Sequence, residues 1–199
     1  MFWLPLVLIV FGAIGVLRSR AIRKEEAGMR EFWDREEQAN SIRKQDISQL
    51  EYITIPLSEL PMNESNDTKI TQYQDTIRSL SEQKILNLTG ISNTELKLQY
   101  GPANLEFLSL ADGRFTTLAR TLASWGCALY DEGNIEDARK VLEFGISCKS
   151  DVSAIYFTLA KIYKETGTGS IIRLMECAES LNSLSKNAII NGLQEIGES

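Results

Sequence analysis

The sequence predicts an all-α chain: one N-terminal membrane-spanning helix, then a body of antiparallel helix pairs, joined by a short extended linker. Three observations lead there. Phe2 to Leu17 is an uninterrupted apolar run, FWLPLVLIVFGAIGVL, with a basic cluster directly after it. From Asp67 onward, apolar residues recur every three or four positions, the period of a helix buried on one face. Between them lies a proline-punctuated stretch rich in β-branched residues, which favours extended backbone.

The totals allow this. A chain of 199 residues, 43% hydrophobic and 24% charged, holds one globular domain with appendages. Residues 18–46 carry 8 Lys/Arg and 7 Asp/Glu, a net of +1, so against −6 for the whole chain the remainder carries −7. A net-acidic body excludes nucleic acid as the expected partner, since phosphate binding draws on clustered Lys and Arg. Cys127, Cys148 and Cys177 are odd in number and contain no C-x-x-C, so neither a disulfide framework nor a zinc site is expected. Histidine is absent, which removes the commonest general base and metal ligand together.

Residues 1–17 are read as the anchor. Sixteen helical residues rise about 24 Å against a hydrocarbon core of about 30 Å. Met1 and a snorkelling Arg18 make up part of the difference. A cleavable signal peptide fits less well, because nothing basic precedes the run and no small-x-small site follows it. Arg18, Arg20, Arg23 and Lys24 all follow the run, so the positive-inside rule leaves the C-terminal body in the cytoplasm. These four residues are also placed to meet anionic headgroups. Asn-x-Ser/Thr triplets at Asn63, Asn66 and Asn87 point the other way, but ten Asn in so Ser/Thr-rich a chain produce such triplets by chance.

Residues 18–46 mix both charge signs and read as a charged juxtamembrane helix with a thin apolar stripe, Ile22, Met29, Trp33 and Ile42. Met29, Phe32 and Trp33 are expected either in solvent on a stalk, in the membrane interface, or against a partner helix. Residues 47–66 form the extended linker. Leu50 to Leu57 (LEYITIPL) is closed by Pro56, Pro61 ends a second short stretch, and the whole is expected to lie along the body as a strap. Asn63 to Thr68 (NESNDT) is polar and turn-forming, and serves as the expected domain boundary.

Residues 67–116 are expected to be accessory helices. Ile70, Tyr73, Ile77 and Leu80 share a face, with Asp67 placed to cap. Ser92-Asn-Thr-Glu95 has capping-box spacing, and Gly101-Pro102 should stop the short helix that follows. Leu105 to Leu110 is expected to end at the turn signal Asp112-Gly113.

In residues 117–199 two helix pairs follow one another. Leu122, Trp125, Gly126 and Leu129 share one face, Asp131-Glu-Gly-Asn134 breaks the helix with Asn134 set to cap the next, and Ala138, Leu142 and Gly145 line the second helix. Tyr156, Leu159, Ala160 and Tyr163 recur 34 residues after the first four. Ile171, Met175 and Ala178 complete this unit if one turn residue is dropped, and Asn187 to Ile196 would close the array with Ala188, Ile189, Leu193 and Ile196 facing inward. This pattern resembles the tetratricopeptide repeat, a helix–turn–helix unit of about 34 residues, here in a membrane-anchored chain of bacterial type. Leu122, Trp125 and Leu129 stand at the family's large apolar positions, Gly126 at its close crossing, and Ala138, Leu142 and Gly145 at those of the second helix. Ser150 stands where the family closes with proline.

The resemblance implies a helical-repeat solenoid whose first helices line a groove for a protein or peptide. Carried over by position, Arg120, Ala123, Cys127 and Tyr130 face it from the first unit, and Ala154, Phe157, Lys161 and Lys164 from the second. Arg120, Lys161 and Lys164 would make the groove basic and suit an acidic partner, with Tyr130 and Phe157 supplying apolar contact. The chain's own extended segment is the competing occupant. Enzyme signatures are missing. Gly167-Thr-Gly169 lacks the strand and the Lys-Ser/Thr of a phosphate loop, Glu36-Glu37 point to different helix faces, and the cysteines sit at apolar positions. No cofactor, metal or catalytic residue is expected. The expected role is a membrane-tethered adaptor or scaffold. Its rivals are an extracytoplasmic scaffold for envelope assembly or secretion, a cryptic hydrolase or transferase, and a purely structural subunit.

Overall fold

The computed structural model describes residues 3–63 and 67–198, with backbone alone for 3–17 and 19–21. All regular structure among the described residues is helical, in eight α-helices and one 3-10 turn. Two units divide the chain: residues 1–46 with 92–105, and residues 47–91 with 106–199.

In the first unit, helix α1 (Trp3–Ser41) is continuous over 39 residues. Helix α3 (Asn93–Tyr100) packs on its last turns, followed by the 3-10 turn Pro102–Asn104. The capping box is formed: Ser92 N–H donates to Glu95 Oε2 at 2.8 Å, and Glu95 N–H to Ser92 Oγ at 3.3 Å. The Ser92 donors hold the Glu95 carboxyl below its ordinary pKa. Glu36 of α1 accepts Lys97 Nζ at 2.7 Å and the Thr94 hydroxyl, and its pKa falls chiefly through Lys97. Buried Asn104 donates to the carbonyls of Gln45 (2.9 Å) and Tyr100 (2.7 Å), tying the chain after α1 to the end of α3.

In the second unit, α2 (Thr68–Ser81) is capped by Asp67, whose carboxylate accepts Lys69 N–H at 2.6 Å. The extended segment lies against this unit. Ile55 and Leu60 are buried in its core, Ile53 N–H reaches Ile85 O at 3.0 Å, and buried Gln74 donates to Pro61 O and Asn63 O at 2.9 Å each. Helix α4 (Leu105–Asp131) runs unbroken through Asp112-Gly113, so the turn expected there is absent. Buried residues explain why: Leu108, Ala111, Phe115, Leu118, Leu122, Trp125 and Leu129 keep one 3–4 stripe across the glycine. Asp112 is used instead to accept Leu88 N–H at 3.0 Å, docking residues 82–91 on the helix.

Gly113 is exposed within α4, with open space where a Cβ would be. Gly113→Ala is therefore expected to raise the unfolding free energy by about 0.5–1 kcal/mol, measured by urea denaturation, because alanine loses less backbone entropy in a helix.

Helices α5 (Ile135–Ser147), α6 (Ser153–Thr166), α7 (Ile171–Glu179) and α8 (Lys186–Glu198) complete the unit. The α4–α5 turn closes with Asn134 N–H on Leu129 O and Gly133 N–H on Tyr130 O, both at 2.9 Å, and Gly133 at φ +80 supplies the left-handed residue. Asn134 occupies the cap position, but its amide donates to Glu132 rather than accepting a backbone N–H. A Cβ on Gly126 would collide with buried Leu142, so α4 and α5 cross at the glycine. Gly145 meets Ile155 in the same way at 2.8 Å, bringing α5 onto α6. Hydrogen bonds between Cys127 and Thr158, and from Tyr130 to Glu165, set α4 beside α6 in the same direction. Helix α8 then lies on α6 and α7, burying Ile189 and Leu193. Ala188, expected inward, is exposed, because the α8 stripe is centred on Ile189 and Leu193. Leu174, rather than Ile171 or Met175, is the buried aliphatic residue of α7.

Candidate functional site

The face predicted to bind a partner is built by α4 and α6. Arg120 is exposed and Ala123 is buried. The Cys127 thiol lies 3.3 Å from Thr158 Oγ1. The Tyr130 hydroxyl donates to Glu165 Oε1 at 2.6 Å, and this carboxylate is the main cause raising the Tyr130 pKa. On α6, Ala154 and Lys161 are exposed. Phe157 packs against α8, where Gly192 has no Cβ to obstruct the ring. Lys164 Nζ donates to Ile196 O at 3.1 Å, at the C-terminal end of α8, where a cation is favoured by the helix dipole. Two of the eight residues are thus engaged by the chain's own last helix, and Arg120 and Lys161 stand open on adjacent helices.

A second concavity, of about 540 Å³, lies where α5, α6 and α7 meet. Glu143 and Tyr163 on its wall belong to a polar relay that runs behind it. Arg139 donates to both oxygens of Glu143 at 2.9 Å and to Glu136, and Tyr163 OH donates to Glu143 Oε1 at 2.9 Å. Burial first, and then this carboxylate, push the Tyr163 phenol well above its ordinary pKa, so it is a neutral donor at physiological pH. Glu136, Arg139 and Glu143 are not singled out by the sequence reading, although their three- and four-residue spacing is a signal of helical ion pairing. The approach of α7 has no such signal, since it depends on Gly169 lying against the Tyr163 ring.

No family model, curated protein or solved structure matches the chain. The site is therefore read from its own chemistry.

Of the four residues expected to flank a membrane, Arg18, Arg23 and Lys24 are exposed on α1. The Arg20 side chain and the apolar run 2–17 lie outside the residues whose side chains are described. Among the described residues no helix is long and apolar enough to cross a membrane, and no three His, Cys, Asp or Glu side chains could hold a metal ion.

Proposed function

We propose that the chain is a membrane-tethered adaptor: residues 2–17 enter the bilayer, α1 continues out of it, and a body of tetratricopeptide type recruits an acidic protein segment on the cytoplasmic side. The alternation of helix pairs supports the solenoid reading. Gly126 lets α4 meet α5, Gly145 lets α5 meet α6, and α4 and α6 run side by side in the same direction with α8 packed on α6. The observation carrying the binding role is the pair of exposed cations, Arg120 and Lys161, on adjacent first helices. A non-catalytic role is supported by the lack of histidine and by Tyr163 being held neutral. A cytoplasmic body is supported by the basic edge after residue 17. The Asn87 triplet argues little against it, since the Asn87 amide donates to Cys148 O and Lys149 O at 3.0 Å each.

Two measurements test this. A C-terminal tag should survive protease on sealed membranes and be digested once they are broken; immediate digestion would make the protein an extracytoplasmic scaffold. Arg120→Glu with Lys161→Glu should weaken binding of the co-precipitated partner at least about tenfold, as two charge-assisted contacts become repulsive. Unchanged recovery would sink the groove.

A further inference from the structure

Beyond the adaptor body, α1 carries an apolar face that no described residue of its unit covers. Ile22, Met29 and Trp33 are 46%, 55% and 61% exposed, and Phe32 beside them 52%. At about 100° per residue, Ile22, Glu26, Met29 and Trp33 fall within one narrow strip, spaced four, three and four. The strip continues to Glu36, where the first unit's own α3 takes it over: Lys97 and Thr94 bind Glu36, and Ala39 nearby is fully buried. Helix packing on this side of α1 thus begins at Glu36 and stops upstream of it.

We propose that residues 22–33 of α1 form the seam of a parallel pair with α1 of a second copy. Charge selects this occupant. Glu25 lies on one shoulder of the strip and Arg30 on the other, five residues on. In a parallel two-fold pair these shoulders face each other, so Glu25 of each helix meets Arg30 of its partner. An antiparallel pair would set like shoulders together. Glu26 is the one charged residue in the uncovered part of the strip, upstream of Glu36; a polar seam residue costs stability and fixes register, and Arg30 stands one turn away to offset it. In the sequence alone, the same spacing runs back through the small residues Gly12, Gly15 and Ser19.

Geometry counts against lipid as the occupant. If the bilayer ends near Leu17, Met29 stands about 18 Å and Trp33 about 24 Å further along a straight helix. The headgroup layer is only about 5–8 Å deep.

The test uses the full-length chain in neutral phospholipid vesicles, with Cys127 and Cys177 replaced by serine and buried Cys148 retained. Under mild oxidation Met29→Cys should form a disulfide-linked dimer, whereas Glu31→Cys, on the opposite face, should stay monomeric. Adding Trp33→Glu to Met29→Cys should abolish the cross-link while helix content by circular dichroism is unchanged. Equal cross-linking at 29 and 31, or none at either, overturns the pairing. So does an environment-sensitive fluorophore, attached to the thiol that Met29→Cys introduces, if it reports lipid contact in a monomeric chain. The pairing and the adaptor reading fail separately, because neither tag topology nor partner recovery enters the cross-linking result.

Discussion

Trp125→Ala is expected to remove about 3–5 kcal/mol of unfolding free energy, read from urea denaturation followed by circular dichroism. A domain of this size holds about 5–15 kcal/mol, so the variant sits near the edge of folding at 37 °C. The effect is large because Trp125 is fully enclosed in the core of the second unit, one residue before the glycine at which α4 and α5 cross. Its removal leaves a cavity that those helices cannot close without losing the Gly126–Leu142 contact. The indole N–H has no hydrogen-bond partner among the described residues. Trp125→Phe should therefore cost clearly less, since it keeps most of the ring and removes a buried donor whose desolvation costs about 1–3 kcal/mol. A Trp125→Ala cost below about 1 kcal/mol would mean that this crossing does not organise the core.

The second large effect is with alkali. Burial pushes the Cys148 thiol from its ordinary 9.0 up to about 11, and burial also drives the phenols of Tyr156 and Tyr163 upward from 10.0. Each group holds its proton more tightly when folded than when unfolded. The stabilisation is therefore whole below about pH 9, and is lost as pH rises through the folded value. Each such group removes about 1.4 kcal/mol per pH unit inside its window. Stability should fall from about pH 9, where Cys148 enters, and more steeply above about 10, where the tyrosines join. Under reducing conditions Cys148→Ala should flatten the lower part of this curve, and Tyr156→Phe the upper part. If neither variant moves the alkaline midpoint, burial of these groups is not what limits the fold.

Much of the architecture was legible because it is local. The Ser92–Glu95 box and the Asp67 cap are interactions within four residues, and they form as the sequence requires. Gly126 opposite Leu142 could be read because a glycine among large apolar residues on a buried face has few other uses. Asp112-Gly113 misled for the converse reason. A local turn signal lost to an apolar stripe that continues on either side, and helix propensity costs only about 1 kcal/mol per glycine. The candidate site was the least legible part. That Phe157 and Lys164 face α8 follows from where the last helix docks, which no spacing within 153–166 encodes. Ala188 likewise could be placed only once Ile189 was seen at the centre of the contact.

Residues 82–91 have a bearing on how the second unit folds. In an array whose units touch only neighbours, unfolding can begin at one end and travel, each step local in sequence. Here Asn87 reaches the carbonyls that end the α5 turn, 61 and 62 positions away, and Asn182 after α7 reaches back to Gly90 across 92. The ends of α5 and α7 cannot peel away without breaking a brace contributed by the opposite end of the unit. Such non-local closures slow folding, because their loop entropy is spent before any contact rewards it, and they convert gradual fraying into a single cooperative transition.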